Sequence, residues 1–169
     1  MKITSAYANK LLKQLEEEKA FWTNKEKESF LYTAAVDEEP VIPEYDFVEV
    51  NKMLSEIDLK VCRIKHAVNV SNASASIDIG GEIISVDVIL IRMSQLSKRR
   101  NMLDKMRKQL PKARVNDTYG IRKGAAEYRY ANYDIDTVRA EYEAVGARIM
   151  EMQMALDKHN QTEEFDVEI

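Results

Sequence analysis

Cysteine is all but missing from this chain of 169 residues: Cys62 stands alone, so no internal disulfide can form. A chain this long can hold itself together with an apolar core instead, and a lone thiol suits a reducing cytoplasm. Cys62 itself is expected to be buried or half-buried on a helix. Glycine (5) and proline (3) are scarce, which excludes a loop-rich architecture and suits long uninterrupted helices. No long apolar run is present. The longest stretch, Ile79 to Ile91, contains Glu82 and Asp87 and is too short and too charged to span a bilayer. The N-terminus has no apolar run of the kind a secretory signal needs, so none is expected.

Catalytic motifs are missing too. There is no H-E-x-x-H, C-x-x-C, G-x-S-x-G or G-x-x-x-x-G-K. The two histidines, His66 and His159, have Arg63 and Leu156 three residues before them, which excludes the paired Glu-x-x-His signature of helical di-iron sites. Of the 29 acids, no pair stands out as an acid–base couple. The expectation is a protein that binds without turnover and uses neither metal nor cofactor.

What is present is a strong apolar period. Phe47, Val50, Leu54, Ile57, Val61, Ile64 and Val68 follow one another at three- and four-residue steps, as do Ile135, Val138, Tyr142, Val145, Ile149, Met152 and Leu156. Such steps average 3.5 residues and draw a single stripe along a helix. Ile89, Leu96, Leu103 and Leu110 recur every seven residues in a third segment. Ile3, Tyr7, Leu11 and Leu15 recur every four in a first, extended by Phe21, Trp22, Phe30 and Leu31. The expected fold class is mainly α: four long antiparallel helices at about 4–32, 46–70, 86–110 and 135–159, packed like a coiled coil into one helical domain over 1–169. The acidic tail, about 161–169, is expected to fray. Asp46, with Glu49 three residues on, predicts a helix cap. Ile77 to Ile84, with Gly80-Gly81 at its middle, predicts a short hairpin or one extended loop. The aromatic run Glu127 to Tyr133 predicts a strand, giving a small β-hairpin or arm.

Charge is segregated. Arg92 to Lys123 holds eleven Lys/Arg against Asp104 and Asp117, a local +9 inside a chain of net −4. Complementary faces of a bundle or of neighbouring subunits would account for this, as would a surface that attracts an anion. Within and beside this segment, Tyr119 to Tyr133 carries four tyrosines, three bases and two glycines in fifteen residues. Aromatic faces stack on bases, arginine forks match phosphate, and glycines let backbone amides approach an anion. Arg122, Lys123, Arg129, Tyr133, Tyr119 and the neighbouring Arg114 are therefore the candidate ligand residues. Asn72, in a polar run before the Gly-Gly turn, is a further one. Alternation along a strand would put Arg129 and Tyr133 on one face and Tyr128 and Tyr130 on the other, as packing residues. The same segment also reads as a β-arm packed on the bundle or on a partner subunit.

Asn69 with Asn72, Asp78 to Glu82, Arg92, Glu127 to Asp136, and Asn160 with Thr162 together resemble the small bacterial septicolysin-like family over nearly the whole chain. The resemblance implies a mostly helical, oligomeric protein and supplies no activity. The family's strand motif R-x-R-S-E-I-K reads here Arg122-Lys123-Gly124-Ala125-Ala126-Glu127-Tyr128-Arg129, and Gln161 stands where a tryptophan is usual. The functional expectation is a cytoplasmic homo-oligomer that binds, and by analogy with some phage counter-defence proteins sequesters, a small anionic nucleotide-like ligand. A structural helical-bundle protein without a ligand, and a local RNA or DNA binder, are the alternatives. No membrane partner is expected.

Overall fold

The computed structural model describes residues 1–115 and 127–168. They form a mainly α-helical protein with four helices and three two-stranded sheets. The order is β1 (Lys2–Thr4), α1 (Ser5–Ser29), α2 (Phe47–Ser74), β2 (Ser76–Ile79), β3 (Glu82–Ser85), α3 (Val86–Arg107), β4 (Lys112–Arg114), β5 (Tyr128–Tyr130), α4 (Ile135–Thr162) and β6 (Glu164–Asp166). Contacts group the chain into two compact units, Met1–Ser76 with Asp157–Ile169, and Ile77–Leu156. Among the described residues no helix is long and apolar enough to cross a membrane.

Local chemistry starts the helices. Thr4 caps α1 by accepting from the Tyr7 amide, and Asp46 caps α2 by accepting from Val48 and Glu49 amides at 2.8 and 3.2 Å. Asp134 caps α4 through the Asp136 and Thr137 amides. Gly80 and Gly81 have φ of 62° and 89° and close the β2–β3 hairpin, with the Gly81 amide donating to Asp78.

The first unit is an antiparallel helix pair. Ala8 and Ile64 share a core with Ile3 and Val167, Lys19 donates to Asp58 at 2.5 Å, and Tyr45 donates to Glu26. Successive partners rise along α1 and fall along the segment that holds α2. The stripe on α2 does the burying: Val50, Ile57 and Ile64, seven residues apart, are almost fully buried. The tail is ordered rather than frayed. β6 pairs antiparallel with β1, Lys2 opposite Asp166, and Val167 is buried beside Ile3. An edge strand at the other end of the chain supplied a partner that composition alone does not reveal.

The second unit is also an antiparallel pair. Arg107 and Arg100 stack on the Tyr142 ring at 4.1 and 4.6 Å, and Arg92 and Arg148 converge on Glu82. Leu103, Val138 and Val145 are its core, flanked by Leu96, Met106 and Ile149.

Several boundaries differ from the sequence expectation. α1 stops at Ser29, leaving Phe30, Leu31 and Tyr32 exposed. With nothing to pack on, the helix gains little by continuing through them. α3 stops at Arg107 and leaves Leu110 exposed, because Pro111 biases the residue before it away from helix. α2 runs on to Ser74, whose hydroxyl donates back to the Val70 carbonyl. Cys62 is exposed, not buried. It lies on the side of α2 turned away from Ile57 and Ile64, by roughly 140° and 160° at 3.6 residues per turn.

Candidate functional site

The expected aromatic strand is real but short, and it has a partner the sequence did not announce. β5 pairs antiparallel with β4, Lys112 opposite Tyr130, Ala113 opposite Arg129 and Arg114 opposite Tyr128. Residues opposed in such a ladder share a face. One face of the arm therefore carries Lys112, Arg114, Tyr128 and Tyr130, and the other carries Ala113 and Arg129. The Lys112 ammonium sits 4.2 Å from the Tyr128 ring centroid and 5.5 Å from that of Tyr130, a cation–π arrangement. Both tyrosines are exposed, Tyr130 at 63%, rather than buried, and Tyr130 also borders a cavity against the end of α3.

Arg129 borders a cavity of about 380 Å³ between the arm and the end of α3. Its lining is apolar at Met102, Met106 and Leu110, and Lys105, Gln109, Arg129, Tyr130 and Tyr133 bring polar groups. That volume is at the small end of the usual ligand range. The nearby acid, Asp104, is engaged by Arg107 and Lys108, which hold its carboxyl below the usual range. Among the described residues neither Arg129, Lys105 nor Arg114 is in an ion pair.

The candidate residues do not all meet. Arg129 and Tyr133 border the same cavity, but Tyr133 lies beyond β5 and its hydroxyl donates to the Met106 carbonyl at 2.9 Å. The register puts Arg114 on the face away from Arg129. Asn72 belongs to the first unit, half-buried near the end of α2. Tyr119, Arg122 and Lys123 lie outside the described residues. Lys112 lies outside the Tyr119–Tyr133 segment. Its pairing with the tyrosines depends on a strand that three residues cannot signal.

A larger cavity, about 870 Å³, opens in the first unit and brings together Arg63 and both histidines, His66 and His159. Its rim holds Glu163, Glu164, Asp166 and Glu168, at the C-terminal ends of α2 and α4. Four carboxylates and two negative helix ends oppose an anion there. A third cavity, about 360 Å³, is lined by Arg92, Arg99 and Arg148, but Glu82 already bridges the first and last of these. Among the described residues no three His, Cys, Asp or Glu side chains gather as metal ligands would.

The fold and the arm define a small α-helical protein with a basic, aromatic β-arm. No protein-family model and no curated protein matches the sequence. A solved structure does match in fold: a functionally unknown conserved protein from Corynebacterium diphtheriae, 13% identical, with a TM-score of 0.68. The match covers 98% of this chain and 100% of that one. At that identity the likeness concerns the fold alone.

Proposed function

We propose that this chain is a non-catalytic, homo-oligomeric binder of a small anionic, nucleotide-like ligand, held at the β4–β5 arm. The observation that carries the reading is Lys112 standing over Tyr128 and Tyr130 with Arg114 on the same face of the arm, while Arg129 on the opposite face borders a cavity with Lys105 and Tyr130. A phosphate would replace water around these cations, and a base would stack on an exposed tyrosine ring. Binding without turnover in a protein of this size suits sequestration of a nucleotide signal, in the cytoplasm. The septicolysin-like resemblance belongs to the same reading and supports a helical oligomer.

The test is calorimetric titration with mono-, di- and cyclic nucleotides. Removing one charged contact weakens binding by about 1.5–3 kcal/mol, roughly tenfold to a hundredfold. Arg129→Ala and Lys112→Ala are each expected to show such a loss. Binding no tighter than millimolar by the native chain, or native affinity in both variants, overturns the reading. A second reading draws on the same arm. The Lys112 cation already engages both rings, which suits an arm that contacts another protein. Polynucleotide binding that falls steeply with salt would instead favour a local RNA or DNA groove.

A further inference from the structure

The segment between α1 and α2 carries a run of exposed apolar side chains. Phe30, Leu31, Tyr32, Val36, Val41 and Ile42 are all more than half exposed, Val36 completely. At roughly 100 Å² each they present on the order of 600 Å² of apolar surface. That sum approaches the roughly 800 Å² that each partner buries in a standard interface. Phe47 and Val48, in the first turn of α2, are exposed as well and extend it. The segment is also strongly acidic. From Glu28 to Asn51 there are seven Asp/Glu and no Lys/Arg. Two such segments facing each other would repel.

A complementary surface lies on α3. Ile91, Lys98, Met102 and Lys105 are spaced at seven, eleven and fourteen residues and fall on one side of the helix. All four are exposed, Ile91 at 56% and Met102 at 53%. The stripe is about 21 Å long at 1.5 Å per residue. It alternates apolar and basic groups and carries no carboxylate. From Arg92 to Arg114 the chain has nine Lys/Arg against Asp104 alone. The connecting segment reads apolar, acidic, apolar, with Val36 before Asp37, Glu38 and Glu39 and with Val41 and Ile42 after them. The helix reads apolar, basic, apolar, basic. Among the described residues neither the three acids nor the two lysines are in an ion pair.

We infer that residues 30–46 of one copy dock on the Ile91–Lys105 stripe of a second copy. Reciprocal docking closes a twofold dimer, and one-way docking gives a ring where its rotation closes and an open filament where it does not. Met102 and Lys105 also border the β4–β5 cavity, so the docked segment forms one wall of it. The inference rests on the homo-oligomeric part of the proposed function and not on its ligand.

Sedimentation velocity of the full chain without nucleotide reads docking by itself. The native chain is expected to sediment as an oligomer at micromolar concentration in 0.1 M salt and to dissociate partly in 1 M salt. Val36→Asp with Val41→Asp changes only exposed positions, so it leaves the helical circular dichroism of the folded chain unchanged and yields monomer. Lys98→Glu, and Glu38→Lys with Glu39→Lys, are each expected to weaken assembly at least tenfold. Combining these three charge reversals in one chain restores it. A native 19.5 kDa monomer, assembly that survives Val36→Asp with Val41→Asp, or no rescue by the combined reversal overturns the inference. Nucleotide titration of the native chain is a separate readout, so failure of the ligand reading stays distinguishable from failure of the docking.

Discussion

The hydroxyl of Tyr133 donates to the carbonyl of Met106 at 2.9 Å. That carbonyl belongs to the last turn of α3 and also accepts from the Gln109 amide at 3.0 Å, so the Tyr133 hydroxyl adds a second bond to it. Tyr133 thus ties the start of α4 to the end of α3 and positions the cavity edge that Arg129 shares. Tyr133→Phe is expected to lower stability by about 0.5–1.5 kcal/mol, read by urea unfolding, and to leave nucleotide affinity unchanged. A tenfold loss of affinity would return Tyr133 to the ligand-contacting set.

Ile57 and Ile149 lie on the two strongest stripes but are buried to different depths. Ile57 is 1% exposed, whereas Ile149 only flanks its core. Ile57→Ala is expected to cost roughly 2–5 kcal/mol and Ile149→Ala clearly less. Equal costs in equilibrium unfolding would mean that the Ile149 side chain is covered by something else, such as a second copy.

The C-terminal strand contributes to the core of the first unit. Val167 is 3% exposed and its carbonyl accepts from the Met1 ammonium at 2.7 Å. Ending the chain after Thr162 removes β6, Phe165 and Val167, and exposes Ile3. Burial of a single valine-sized side chain is worth about 1.5–3 kcal/mol, so a clear fall in melting temperature is expected. An unchanged melt would show that β1 and β6 do not pair in solution.

Acid is expected to destabilise the fold through three cap and ion-pair carboxylates. The Thr137 hydroxyl and amide hold Asp134 low, Lys108 and Arg107 hold Asp104 low, and the Ser85 hydroxyl and Val88 amide hold Asp87 low. A carboxyl whose pKa is lowered by folding stabilises the native state above its unfolded value, near 4, and that contribution vanishes as pH falls through the lowered value. Melting temperature should therefore hold steady from pH 7 to about 5 and fall below about 4. Asp104→Asn should flatten that fall. A melting temperature independent of pH down to 2 would contradict this.

Much of the helical architecture is legible in residue order. The stripes at Val50, Ile57 and Ile64 and at Val138, Val145 and Met152, the Asp46 cap and the Gly80-Gly81 turn each depend on residues within a turn or two. Local periodicity, capping and glycine's access to positive φ act over that range. What tertiary structure alone decided is who meets whom at long range. Lys2 pairs with Asp166, which turns an acidic tail into a strand. Lys112 pairs with Tyr130, which puts Arg114 beside Tyr128 and away from Arg129. Three-residue strands have no detectable period of their own, and a shift of one residue would exchange the two faces of the arm. The register therefore depends on backbone hydrogen bonds between segments far apart in the chain, and the makeup of the candidate site depends on the register.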